Sequence, residues 1–218
     1  MKNLVKNFLT DDDQEKIIDS VKQVEHSTSG EIVPTVVSCS YHYPMSDVIG
    51  GFVLALPLSL ILTHFIGGWL WIGTQNMWLF LGIMTVLFIF FHRFVKHVLC
   101  LKRLFISKRE IDEEVEEAAL VSFFNEGLYR TRDKTGVLLF ISVFEHRVWV
   151  LADSGINEKV AIGQWDKIVN SILEGIKQKR QADAICQAIK EIGKILEEHF
   201  PAKADDRNEL KDLIIEHD

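Results

Sequence analysis

Charge is missing from one long stretch of this 218-residue chain. Between Val48 and Phe91, 44 consecutive residues contain no Asp, Glu, Lys or Arg, so all 55 charged side chains fall on the other 174 positions. The overall value of 25% charged is therefore an average of two regimes. The charged regime, at about 32%, exceeds the roughly 25% usual for soluble domains. That distribution argues against a single water-soluble globule. It also argues against a multi-span transporter, because one crossing takes about 20 apolar residues and this run supplies two. Paired cysteines are absent as well: Cys39, Cys100 and Cys186 are far apart and form no C-x-x-C, so they read as isolated reduced thiols. A palmitoyl group on Cys100 is the lesser alternative. Acids arrive at Asp11 before an apolar signal region could form, which argues against a signal peptide.

What is present is divided by sign. Residues 1–47 carry a net charge of −4, residues 92–109 carry six basic side chains and no acid, and residues 110–218 carry a net −9. The basic block abuts the apolar run, where Lys and Arg set orientation toward the cytoplasm and meet anionic headgroups. Without another basic stripe, the acidic body argues against nucleic acid as a partner.

The apolar run divides into two transmembrane spans, Val48–Ile66 and Met77–Val95. Pro57 lies inside the first, a position that membrane helices tolerate better than soluble ones. The connecting Gly67–Asn76 is uncharged and tryptophan-rich. Trp69, Trp71 and Trp78 suit an aromatic belt at the far interface, while Arg93, Lys96, Lys102 and Arg103 suit the near one. This predicts an integral protein of the bacterial cytoplasmic membrane with two spans and both termini cytoplasmic. Ser59, Thr63, His64, Thr74, Gln75, Asn76 and Thr85 are the polar residues of this region, and none is a carboxylate or a fixed cation. A transport path usually needs ionisable groups, so the hairpin reads as an anchor. The glycine pairs Gly50-Gly51 and Gly67-Gly68 would permit close helix contact.

On either side of the hairpin the pattern alternates between helix and strand. Thr10 followed by Asp11, Asp12 and Asp13 is a helix N-cap with acids on the first turn. An EF-hand loop is excluded there, because its sixth and twelfth positions are Lys16 and Lys22. Glu31–Ser38 reads as a strand, with Pro34 pushing it toward a sheet edge or a bulge. Ser107 and Glu110 fit a capping box opening a helix to about Leu128, whose Glu113, Glu114, Glu116 and Glu117 read as a solvated face. Gly136–Val143, continuously apolar, reads as a central strand, and His146–Ala152 as its antiparallel hairpin partner across Phe144-Glu145. Amphipathic helices follow over residues 163–179 and 182–199. The expected fold class is α/β: a small three-layer α/β sandwich interrupted by a two-helix transmembrane hairpin. Its domain is discontinuous, residues 1–47 plus 107–200, with a basic juxtamembrane segment at 96–106 and a polar tail at 201–218.

Several strings in this order resemble the TPM-domain family, small α/β domains described as thylakoid-lumen and acid-phosphatase-like. They are Thr28-Ser29-Gly30-Glu31-Ile32, Phe123-Phe124 with Gly127-Leu128, Thr135-Gly136-Val137-Leu138-Leu139-Phe140-Ile141-Ser142, and Arg147-Val148 leading to Asp153-Ser154-Gly155-Ile156. The stretch Asp205-Asp206-Arg207-Asn208-Glu209-Leu210 resembles the end of a bacterial membrane-anchored subgroup. The resemblance implies acid phosphatase activity as in some members, or calcium or partner binding as in others.

The residues constrain that chemistry. Six positions after Cys39, Cys100 and Cys186 stand Met45, Ile106 and Ile192, so the C-x5-R of a cysteine phosphatase is absent. The D-x-D at Asp11–Asp13 opens a helix instead of ending a strand, and no P-loop, G-x-S-x-G or H-E-x-x-H occurs. What remains is a speculative metal site formed by Glu31 and Asp153, carboxylates suited to Ca2+ or Mg2+; the alternative is a solvated glutamate and a turn aspartate. His146 reads as a surface imidazole. The leading expectation is a non-catalytic interaction or assembly module that needs no cofactor and has membrane lipid and a protein as partners. The alternative is a divalent-metal-dependent phosphatase with a carboxylate site.

Overall fold

A computed structural model describes residues 4–161, 163–202 and 209–216. In chain order the elements are α1 (Leu4–Phe8), α2 (Asp11–Glu25), β1 (Glu31–Val37), α3 (Pro44–Trp69), α4 (Met77–His97), α5 (Leu99–Leu104) and α6 (Lys108–Asn125). After a 3-10 turn at Leu128–Arg130 come β2 (Gly136–Ser142), β3 (Arg147–Ala152), α7 (Ser154–Asn157), α8 (Gln164–Lys177), α9 (Gln181–His199) and β4 (Ile214–Glu216). The chain separates into two compact units, Met1–Tyr41 with Asp112–Asp218, and His42–Ile111.

The first unit is built on a four-stranded sheet in the order β3-β2-β1-β4. β1 runs parallel to both β2 and β4, and β2 pairs antiparallel with β3. The parallel pairing of β1 with β2 is what lets a long excursion intervene between them, since parallel neighbours need a crossover rather than a tight turn. Side-chain alternation assigns the faces. Ile32, Val36, Val137, Leu139, Ile141 and Val148 pack with Ile17, Val21, Ile168, Ile172, Ile185 and Ile189 of α2, α8 and α9 in one continuous core. The opposite face carries Val33, Thr35, Leu138 and Phe140 and lies toward α6, giving the helix-sheet-helix layering. α2 starts as the sequence implies: the Thr10 hydroxyl accepts from the Asp13 N–H and the Asp13 carboxylate accepts from the Thr10 N–H, a reciprocal cap.

Three features differ from the expectations. Residues 201–218, expected to be a polar tail, include β4, whose Ile214, Ile215 and Glu216 pair with Thr35, Val36 and Val37. Pro34 does not put β1 at the sheet margin. It precedes by one residue the point where β4 joins, so on that side the strand is unpaired by β4 where the proline lacks its N–H. The β2–β3 turn is four residues long, because Val143 and His146 leave the ladder; His146 sits in the left-handed region at φ 52 and is exposed.

The second unit is the helical hairpin. α3 and α4 are long and apolar enough to cross a membrane. A core helix of a soluble protein would pass the same test, but it would be mostly buried. Here only 28% of the most apolar window of α3 and 6% of that of α4 is covered by protein. The covered side of α3 repeats every fourth residue, Asp47, Gly51, Ala55, Ser59, Thr63 and Gly67, all buried. This seam of small residues lets two backbones approach closely, as membrane helices require when lipid supplies no hydrophobic drive between them. A Cβ on Gly51 would lie 3.1 Å from the His92 backbone, and one on Gly67 would collide with the Gly73 carbonyl. Gly68, by contrast, is exposed. The hydroxyls of Ser59 and Thr63 donate within the helix to Leu56 O and Ser59 O, so the seam hides no unmet donor there. α3 continues through Pro57 without interruption.

Candidate functional site

The two carboxylates singled out for metal chemistry lie at the same end of the sheet. Glu31 opens β1 opposite Gly136 of β2, and the Asp153 N–H, just past β3, donates to Gly136 O at 2.9 Å. Both side chains project from the face that looks toward α6. β2 separates them, so two strand spacings put about 10 Å between their backbones. The glycine between them leaves no open cradle, because a Cβ at Gly136 would already lie 2.7 Å from the Leu128 carbonyl and 3.1 Å from the Leu128 side chain. The 3-10 turn fills the space.

Each acid has local work. Glu31 is buried, and its Oε1 accepts from the Glu209 N–H at 3.1 Å, tying the C-terminal segment to the start of β1. Asp153 caps α7, its Oδ1 accepting from the N–H and hydroxyl of Ser154. Its Oδ2 is buried with no hydrogen-bond partner among the described residues. Ca2+ takes six to eight oxygens at about 2.3–2.6 Å and Mg2+ six at about 2.0–2.1 Å. Two carboxylates separated by a filled gap do not fit either ion. Among the described residues no group of three or more His, Cys, Asp or Glu could hold one.

The strings around these acids have structural roles. The Thr28 hydroxyl donates to Phe200 O at 2.6 Å and accepts from the Gly30 N–H, while the Thr135 hydroxyl donates to Ser29 O. Gly30 has no room for a side chain, since a Cβ would lie 2.9 Å from Leu196. Together these contacts lock the entry of β1 to α9 and to the entry of β2.

The other end of the sheet holds a constellation that sequence reasoning missed. Glu145, in the β2–β3 turn, is completely buried. Its Oε1 accepts from the Ser40 N–H at 3.0 Å and from the Cys39 thiol at 3.3 Å, and its Oε2 accepts from the Ser142 hydroxyl. A turn acid would ordinarily be solvated; here residues 105 positions earlier supply the donors. The carboxylate therefore clamps the segment leaving β1 onto the β2–β3 turn. Beside it, Cys39, Ser40 and Tyr41 form one wall of a cleft of about 470 Å³, with α6 as the other wall and Val37 and Phe140 as part of its lining. At the rim of the cleft, Leu120, Val121 and Phe124 make an exposed apolar strip on α6.

In the hairpin unit, Trp69, Trp71 and Trp78 are 81%, 94% and 77% exposed, and Arg93 and Lys96 are exposed. Lys102 does not belong with them. Its ammonium is buried, 3.2 Å from Asp47 Oδ1 and 2.6 Å from His42 O, because an acid on the first turn of α3 comes within reach of α5. Arg103, half-buried, has interactions of its own.

With this geometry in hand, comparisons with known proteins become informative. Residues 97–195 match the family model of the TPM domain, which bears the name TPM phosphatase. That segment of the chain is similar to the TPM-domain family. The matched segment begins at the end of α4, so strand β1 and helix α2 lie before the hairpin and outside the match. The fold agrees with a solved structure, that of the BA42 protein from the psychrophilic bacterium Bizionia argentinensis. It is 20% identical with a TM-score of 0.58, over 96% of each chain. No curated protein matches the sequence. The strings that carry the resemblance hold structural positions, through Gly30, Gly136 and their neighbours.

Proposed function

We propose that this TPM domain acts as a non-catalytic interaction or assembly module, held at the cytoplasmic face of a bacterial cytoplasmic membrane by its own two-helix hairpin. The observation that carries this reading is the exposed apolar strip Leu120, Val121 and Phe124 on α6, beside a cleft in the domain surface. Apolar side chains clustered next to a concavity are a feature of protein-binding surfaces. The orientation is supported by the six basic residues over 92–109 against an uncharged connection between the helices.

A photo-crosslinking amino acid at position 124, introduced into the full chain in cells, tests the reading. Discrete protein adducts at that position, absent when the probe is placed at position 198 on α9, are expected. Equal or no adducts at both sites would overturn it. A cysteine reporter placing residues 110–218 outside the cell would overturn the topology independently.

A phosphatase is the second reading, favoured by the name of the matching family model and by the buried Asp153 Oδ2, which has no hydrogen-bond partner among the described residues. Pure protein that hydrolyses a phosphate ester, with the activity lost in Asp153→Ala and retained in Glu198→Gln, would replace the first reading with this one.

A further inference from the structure

The cleft between α6 and the end of β1 is acidic among the described residues. Glu114 and Glu117 of α6 and Glu216 of β4 line it, and none of the described lining residues is basic. These acids do not converge as metal ligands, since no group of three among the described residues could hold an ion. Carboxylates spread along a cleft match a row of spaced cations better than a single point charge.

Two further observations narrow the ligand. Ser122, in the same wall, is only 7% exposed, and its hydroxyl has no hydrogen-bond partner among the described residues. A buried hydroxyl without a partner costs free energy that a ligand donor or acceptor would recover. The lining also continues outward: Val121 is both a lining residue and half exposed, and Phe124 lies one helical turn beyond it. Beside the cleft, β4 is the last strand of the sheet, a position where a further extended segment can be added by main-chain pairing.

Resting on the interaction reading above, we propose that this cleft docks an extended, lysine- or arginine-bearing segment of a partner protein. Alternate side chains of the segment face the sheet margin and the cleft. Its cations meet Glu117 and its neighbours, and its apolar residues meet Val121 and Phe124. Surface carboxylates contribute steering and salt sensitivity, and the apolar contacts contribute residence.

Fluorescence anisotropy on the full chain in detergent tests this with a labelled nonapeptide of alternating lysine and valine. A glutamate-valine counterpart and the small polyamine spermine serve as competitors. The lysine peptide is expected to bind at least tenfold more tightly than the glutamate peptide. Glu117→Gln and Val121→Ser should each weaken it at least threefold, whereas Glu198→Gln should not. Both residues are exposed, so unchanged thermal unfolding of the variants is the folding control. Equal binding by the two peptides, wild-type binding by both cleft variants, or displacement by spermine as effective as by unlabelled peptide would overturn the proposal. Crosslinked partners at position 124 without peptide binding would overturn the cleft assignment and leave the interaction module standing; failure of both experiments would remove both.

Discussion

Asp47→Ala should release α5 from the hairpin. The helix has six residues, too few to be stable alone. What fixes it is Lys102, whose ammonium is buried against Asp47 at 3.2 Å with side-chain exposures of 6% and 7%. Removing one partner of a buried pair leaves an uncompensated charge and costs about 3–5 kcal/mol, whereas replacing both by apolar residues is often neutral. If α5 opens locally to relieve that cost, the amides of residues 99–104 should exchange hydrogen faster by roughly 140- to 3,700-fold, at 1.4 kcal/mol per decade. The assay is hydrogen exchange by mass spectrometry on the detergent-solubilised chain, and the double variant Asp47→Leu, Lys102→Met should stay within about tenfold of wild type. Asp47→Asn separates charge from hydrogen bonding. It keeps an acceptor for Lys102 but removes the helix N-terminal charge, a contribution of about 0.3–1 kcal/mol at exposed sites. The competing outcome is specific: Lys102 could extend to the headgroup surface, as its place in the basic block suggests from sequence. Exchange in Asp47→Ala within threefold of wild type would favour that outcome and refute the buried-latch reasoning.

Glu145→Ala strands the Ser142 hydroxyl and the Ser40 N–H, at about 1–3 kcal/mol for each donor left unsatisfied, so a lower denaturant midpoint by circular dichroism is expected; Glu145→Gln, which keeps an acceptor, should lose less. Gly193→Ala would drive a Cβ into Val24 across the α2–α9 contact, with about 1–3 kcal/mol lost on the same assay, whereas Gly82→Ala, where a Cβ meets nothing within 4 Å, should be neutral. In the hairpin, Ser59→Leu interrupts the small-residue seam and should raise proteolysis of the helix connection in vesicles, while Leu60→Ala on the exposed side should not.

Much of this organisation was legible locally. The uncharged run located two helices, and the Thr10 cap, the apolar run of β2 and the 3.6-residue periods of α8 and α9 located α2, β2, α8 and α9 to within two residues. The illegible parts depend on distant partners. Three residues, Ile214–Glu216, are too few to show a strand period, and they form β4 because β1 offers its edge after Pro34. Glu145 in a turn and Lys102 in a basic block each look solvated by composition. Each is buried because a counterpart far along the chain, Ser40 or Asp47, meets it. Whether Glu31 and Asp153 meet depended on strand direction, which the sequence left open, and the sequence carried no sign that Leu128 fills the space between them.

Both neighbours of β1 are made late. The strand ends at Val37, the paired strand β2 ends at Ser142, and β4 ends at Glu216. At about 5–20 residues per second of synthesis, the ribosome needs roughly 5–20 s to go from the end of β1 to the end of β2. All seven residues of β1 are buried in the finished domain. During translation, then, an apolar strand waits unpaired while both hairpin helices emerge behind it. Productive biogenesis must shield that strand until β2 has been made. Delaying synthesis of β2 should therefore send the nascent chain to chaperones or proteases with β1 as the exposed signal.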